Sequence, residues 1–381
     1  MKSRWLLFVV FLSAALFVTS LSQAQNVKIT PLGAAPGEFC VGDRALLFED
    51  PTGVRVLIAP GRTVGKDLGG TIHVRGSADE RLTGGVHVLL IDHPHVDHIG
   101  DVFHANCSGS TTKAFEFPSE GNASEIAARL NSAVLVGGEL PDFFTKKLNN
   151  MVTLAGTNAP AGCPAAGLDN TMTVPRTSPC VGVIRGGTRT VVMTGQTTGV
   201  KITTIPAFHA AGASRLHVDE LDSVDPQGGV AIADPGVPEG LTGYAGHETG
   251  YILRFTNGLT VLWTGDSGLI GDWEVQSRFY KPNLAVVHGG DLFTMGPDEA
   301  AFAVRELMDV QTAIPEHFNQ VSTTSGTVNA GTKVERFINQ VASSAPGKSA
   351  SHGHKINVVV PLSGSTFQFD GSGKCVAGPG C

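Results

Sequence analysis

The sequence predicts a layered α/β sandwich, with mixed β-sheets covered by helices. Three observations carry this. Short apolar runs alternate with helical patterns along the chain. Hairpin turns such as Asp50-Pro51-Thr52-Gly53 and Thr256-Asn257-Gly258 sit among them. No period of about 20–50 residues marks a repeat array. The 381 residues suffice for one large or two ordinary domains, and 41% hydrophobic against 16% charged residues allows a sizeable core. The 48 glycines and 21 prolines favour turns over long helices. A net charge of −7 without any basic run argues against a nucleic-acid partner.

Residues 1–24 read as a leader. Lys2 and Arg4 precede an apolar run from Trp5 to Val18, and Ser22-Gln23-Ala24 forms a cleavage site. The run is short for a membrane span of about 20 residues. The expected location is secreted or periplasmic, with no stable membrane anchor after cleavage. Cys40, Cys107, Cys163, Cys180, Cys375 and Cys381 all follow the leader, which favours disulfides. Cys163–Cys180 and Cys375–Cys381 are the local pairings expected.

Strands are expected at Asn26–Thr30, Ala45–Glu49, Val54–Ala59, Thr71–Val74 and Val86–Ile91. A short helix should follow Ile99, another should run from Glu125 to Leu130 with Ser124 as N-cap, and a third from Leu140 to Leu148. Ala133–Val136 is a strand between them. Residues 155–189, rich in Gly, Ala, Pro, Thr and Ser, read as a surface insertion or a disordered loop. Strands follow at Thr190–Thr194 and Lys201–Ile205. A second insertion spans 212–247, where Asp219, Glu220, Asp222 and Asp225 read as a solvated face. Tyr251–Phe255 and Thr260–Trp263 form a hairpin, and Leu284–His288 is another strand. Pro297–Asp309 and Val334–Val341 read as helices, with strands at Thr312–Pro315 and Lys355–Val360 and a cysteine-bearing tail at about 362–381.

The densest chemistry lies in His93-Pro94-His95-Val96-Asp97-His98, at the end of the Val86–Ile91 run. Imidazoles with carboxylate suit zinc, with iron or manganese as alternatives. His93 and His95 alternate around Pro94 and can reach one ion; Asp97 and His98 can reach a second. The same arrangement recurs: an apolar strand ends and a ligand-type residue follows, at His209, Asp266 and His317. His288 sits in a similar place, as a candidate general acid or oxyanion donor or as a structural histidine. His104 and His247 are weaker candidates. There is no Gly-x-Ser-x-Gly elbow and no phosphate-cradling Gly-x-x-x-x-Gly-Lys.

This ligand order resembles that of the metallo-β-lactamase superfamily. Thr264-Gly265-Asp266-Ser267-Gly268, Pro282 to Gly290, Phe293 to Ala301 and Ile314 to Phe318 resemble the branch containing L-ascorbate-6-phosphate lactonase. The resemblance covers about residues 41–150 and 190–320. It implies a four-layer αββα sandwich with loop insertions, formed by residues 25–381 as one metallo-hydrolase domain. It implies two Zn2+ ions, with His93, His95 and His209 on the first, Asp97, His98 and His317 on the second, and Asp266 bridging. Asp97 is also the expected residue to orient the attacking water. The expected function is hydrolysis of a small lactone or other carboxylic ester. Phosphodiester or phospholipid hydrolysis and β-lactam hydrolysis are the alternatives on the same fold. Di-iron oxygen or nitric-oxide chemistry and a non-catalytic binding role are the readings from other classes. Neither the substrate nor the oligomeric state is written in the sequence.

Overall fold

The computed structural model describes residues 25–68, 74–100, 102–109, 112–114, 121–137, 140–156, 160–209, 212–214, 242–244, 248–343 and 355–381. The expected leader, the acidic cluster from Asp219 to Asp225, and His247 lie outside these residues.

Two large sheets dominate. In spatial order the first runs Ala161–Gly162, Cys180–Val183, Ala133–Val136, Val88–Ile91, Arg55–Ile58, Leu46–Glu49, Val27–Pro31, Phe367–Phe369, Cys375–Ala377. The second runs Thr171–Val174, Thr188–Met193, Gly199–Pro206, Thr249–Arg254, Thr260–Trp263, Leu284–His288, Thr312–Glu316, Asn357–Val358.

The alternation of side chains along each strand builds the layers. Val88 and Leu90 enter one core with Val56, Ile58, Val261, Trp263 and Val286, so this core lies between the sheets. Leu89 and Ile91 point the other way, onto Ile126, Ala127, Phe144 and Leu148 of the helices Gly121–Leu130 and Pro141–Ala155. On the far side, Leu262, Ala285 and Val287 pack against Trp273, Val304 and Phe337. Those three belong to the helices Asp272–Tyr280, Ala303–Met308 and Lys333–Ala342. Helix, sheet, sheet, helix is the αββα order that the resemblance implied. Burying apolar area at about 25 cal/mol per Å2 makes these three cores the main source of stability.

Several elements depart from expectation. The helix expected after Ile99 instead spans Val96–Ile99 and carries Asp97 and His98 itself. Gly100, at φ +80°, ends it, and Val102–His104 is a strand. Ser124 lies inside the Gly121–Leu130 helix rather than capping it. The described part of residues 155–189 contains strands where a loop is an expected alternative. These residues supply Ala161–Gly162 and Cys180–Val183 to the first sheet and Thr171–Val174 to the second. Cys180–Val183 pairs in parallel with Ala133–Val136, so main-chain hydrogen bonds order a segment whose composition reads as loop. Both local disulfides are present, and Cys40–Cys107 is the third. Among the described residues, no helix is long and apolar enough to cross a membrane.

Candidate metal centre

The strand Val88–Ile91 lies between two parallel neighbours and is buried throughout. A parallel strand covered on both faces must be apolar at every position, and this one is. Its end is therefore rigid, and the next residues carry the polar chemistry. Thr260–Trp263, Leu284–His288 and Thr312–Glu316 run parallel to one another in the second sheet. Gly199–Pro206 is related to them through two antiparallel pairings, so it runs the same way. Asp266, His288, His317 and His209 consequently gather at one edge. Two cross-sheet bonds bring the first sheet's motif to that edge: Tyr251 Oη donates to Ile91 O at 2.6 Å, and Thr249 N donates to Asp92 O at 3.2 Å.

Two groups of the expected ligands have donor atoms within 4.8 Å of one another, His93, His95, His209 and Asp97, His98, His317, and Asp92, His93 and His98 form a third group that links them. Asp266 stands between them. Its Oδ2 is 3.8 Å from His93 Nε2, 3.3 Å from His98 Nε2 and 3.0 Å from His317 Nε2. These three Nε2 atoms and Asp266 Oδ1 are buried without a hydrogen-bond partner. Orphaned buried acceptors cost free energy unless something satisfies them. Lone pairs converging on a carboxylate oxygen fit a divalent cation, which would satisfy all of them at once.

Two acids that the sequence reading missed orient these rings. The buried Asp92 places Oδ1 3.3 Å from His93 Nδ1 and 3.2 Å from His98 Nδ1. The buried Glu248 places Oε1 2.9 Å from His93 Nδ1. A carboxylate on Nδ1 leaves Nε2 free as the ligand, the usual arrangement behind a metal-binding histidine. Burial pushes the Asp92 carboxyl up, but His98 and His93 outweigh it and hold it well below the usual carboxylate range. Burial lifts Glu248 to about 7 against the pull of His93. Burial, then His93 and His209, depress His95 to about 3, so its ring is a neutral base. Burial depresses His209 as well, and its Nε2 lies 3.3 Å from His95 Nδ1. The one faint signal in the sequence for Asp92 and Glu248 was an acid beside a ligand-bearing or apolar run.

His288 is a different case. It is fully buried at the end of its strand, with Nδ1 2.9 Å from Thr264 Oγ1 and its ring against Trp263. Burial lowers its pKa to about 3. Like His93 and His98 it has no exposed surface; its ring centroid lies 5.9 Å from that of His317, and it joins no donor group. His104 is buried in the Val102–His104 strand, where Gly42 and Gly109 leave room for its ring, and it joins none of the donor groups.

No protein-family model matches the chain. A UPF0173 metal-dependent hydrolase of Cupriavidus necator is 29% identical over 247 residues, covering 65% of this chain and 63% of that protein. The alignment thus spans a little under two thirds of that relative's length. A second UPF0173 metal-dependent hydrolase, from Cupriavidus taiwanensis, is 26% identical over 342 residues, covering 89% of this chain and 91% of that one. Among solved structures, Igni18, a metallo hydrolase from Ignicoccus hospitalis, aligns with 19% identity over 91% of this chain and 100% of that one, with a TM-score of 0.47.

Proposed function

We propose that this chain is a metal-dependent hydrolase, as its likeness to the UPF0173 relatives supports, that it holds two divalent ions, and that it hydrolyses a lactone or another carboxylic ester outside the cytoplasm. His93, His95 and His209 hold the first ion in this reading, Asp97, His98 and His317 hold the second, and Asp266 lies between. Zinc is the proposed metal, because imidazole and carboxylate without thiolate suit it, with iron and manganese as alternatives. One observation carries the proposal: three unpartnered imidazole nitrogens converge on Asp266 Oδ2, each within 3.8 Å.

Bound at such a site, two ions supply Lewis acidity and lower the pKa of a shared water towards neutrality. The chain's own groups do the rest. Asp92 and Glu248 fix the tautomers and angles of His93 and His98. Asp97, whose side chain is 21% exposed, orients the water and accepts its proton. His288 supports the Thr264 turn from below. Water adds to the acyl carbon, the C–O bond breaks, and the departing oxygen takes the proton. A lactone thereby yields one hydroxy acid, and an open ester yields an acid and an alcohol. The choice of lactone or ester rests on the resemblance of the Thr264–Gly268 and Pro282–Gly290 stretches. Three disulfides and the leader-like first 24 residues support an extracytoplasmic setting.

The test is metal analysis of protein purified without added metal, joined to a substrate panel before and after chelation. Lactone or ester turnover that chelation abolishes and Zn2+ restores is the expected result. Turnover restricted to bis-p-nitrophenyl phosphate or to a chromogenic cephalosporin would move the substrate class to those alternatives. Iron with visible absorbance would favour oxygen chemistry. Two bound zinc ions with no turnover of any of the three would refute the catalytic reading.

A further inference from the structure

Arg44 lies just before the strand Leu46–Glu49, far along the chain from the ligand motif. Its guanidinium is buried. Arg44 Nε is 2.8 Å from Asp97 Oδ2, and Nη2 donates to Asn319 Oδ1 at 2.7 Å. Asn319 Nδ2 lies 3.2 Å from His317 Nδ1. One cation therefore touches Asp97 directly and His317 through a single amide. A guanidinium carries donors only, so it also decides which way the Asn319 amide faces. His317 and Asn319 both sit at positive φ, +56° and +50°, conformations that neighbouring contacts must hold.

Arg44 is itself held firmly. The preceding Asp43 accepts from Ala34 N and Cys40 N, each at 2.8 Å. Val41 N donates to Cys107 O at 3.1 Å, and the Cys40–Cys107 disulfide closes the same loop. The loop thus clamps a rigid cation against one donor group. The ion pair and hydrogen bond just named lead to Asp97 and His317, not to His93, His95 or His209.

We propose that Arg44 is a positioning residue that holds Asp97 and His317 in the geometry of the second ion position, and so sets the affinity of that position alone. The proposal rests on the two-ion reading above. A plain structural ion pair would also stabilise the fold, and removing Arg44 would then cost stability without selecting between ions. Lysine cannot replace Arg44, because a point charge on a flexible stem reaches one partner and leaves the other.

The experiment is Zn2+ titration of the metal-free protein against a chromophoric chelator, giving two stepwise dissociation constants, with the melting temperature measured alongside. In Arg44→Gln one ion should weaken about 10–100-fold, the usual scale for losing an outer partner of a metal ligand. The other ion should stay within about threefold, since Arg44's named contacts reach none of its ligands and His93 keeps Asp92 and Glu248. The weakened ion should be the one that His317→Ala also removes. Arg44→Lys should recover only part of the loss, and Asn319→Ala should weaken the same ion by less. Opening the Cys40–Cys107 loop with Cys40→Ser and Cys107→Ser should act in the same direction. If Arg44→Gln does not fold, Arg44→Lys and Asn319→Ala decide the matter. Wild-type constants in both, or equal weakening of both ions, overturns the assignment. A wild-type protein that takes up only one ion sinks the two-ion reading and this proposal together. Two ions in the wild type, with unchanged constants in the variants, sinks the role of Arg44 alone.

Discussion

Replacing Asp92 by Asn keeps the shape of the side chain and removes its charge. In the structure, Asp92 Oδ1 serves two rings, 3.3 Å from His93 Nδ1 and 3.2 Å from His98 Nδ1. His93 Nδ1 also has Glu248 at 2.9 Å, whereas among the described side chains Asp92 is the acid beside His98 Nδ1. The 3.2 Å contact of Asp92 with His98 Nδ1 is an ion-pair contact, and losing the outer partner of a metal-binding histidine costs about 10–100-fold in metal affinity. Each 1.4 kcal/mol is about tenfold in affinity. Losing the carboxylate should therefore weaken the ion held by His98 about 10–100-fold. The ion held by His93 should weaken less, because Glu248 still orients that ring. Glu248→Gln should give the mirror image, weakening the His93 ion and sparing the other. Competition with a chelator, read on both variants and on the double variant, measures the two constants. Equal losses at both positions in Asp92→Asn, or loss of the His98 ion in Glu248→Gln, would refute the division of labour.

Gly61 packs so closely that a Cβ there would stand 1.7 Å from Asp97 O. Gly61→Ala should push the Val96–Ile99 turn aside and lower metal uptake, checked by zinc content of the purified variant. Opening the Cys163–Cys180 bridge, which spans 17 residues, should cost about 3 kcal/mol on the loop-entropy scale and lower the melting temperature. Asp43 is driven up to about 7, chiefly by burial, against its backbone donors Cys40 and Ala34. A carboxyl pKa raised on folding favours the protonated form. Its contribution is full below the unfolded pKa of about 3.9 and is lost as pH rises through about 7, on the order of a few kcal/mol. Denaturant melts from pH 4 to 8 should show wild-type stability falling over that window. Asp43→Asn should be flatter there, though weaker overall, since an amide offers one acceptor oxygen to two N–H donors. An equal slope in both proteins would remove Asp43 as the cause.

Much of this architecture was legible in the residues. Apolar runs such as Leu89–Ile91 and Val261–Trp263 are strands because burial on both faces forbids polar side chains there. His209, Asp266 and His317 could be picked out because each follows such a run. His288 follows such a run as well, and its buried ring lies 5.9 Å from that of His317 without entering a donor group. Asp92 went unnoticed as a ring partner between the Val86–Ile91 run and His93, since orienting two rings is a property of space and leaves no trace in spacing. Arg44 and Glu248 were silent for the same reason: each reaches its partner across a gap the chain closes only by folding. Residues 155–189 read as loop because their strands are short and draw order from neighbours, not from apolar content.

The proposed ligands are divided between the two sheets. The first sheet delivers His93, His95, Asp97 and His98, and the second delivers His209, Asp266 and His317. Neither half can assemble the site by itself, so ions bound there act as rivets across the interface between halves. A species that binds the native chain and not the unfolded one stabilises it by about 4 kcal/mol at a thousandfold excess over its dissociation constant. Occupancy of the proposed site would then be coupled to folding. The first sheet alone brings Asp92, His93 and His98 close enough for one ion, whereas the seven proposed ligands come together only when the two sheets meet. The unloaded form should be the one that proteases recognise.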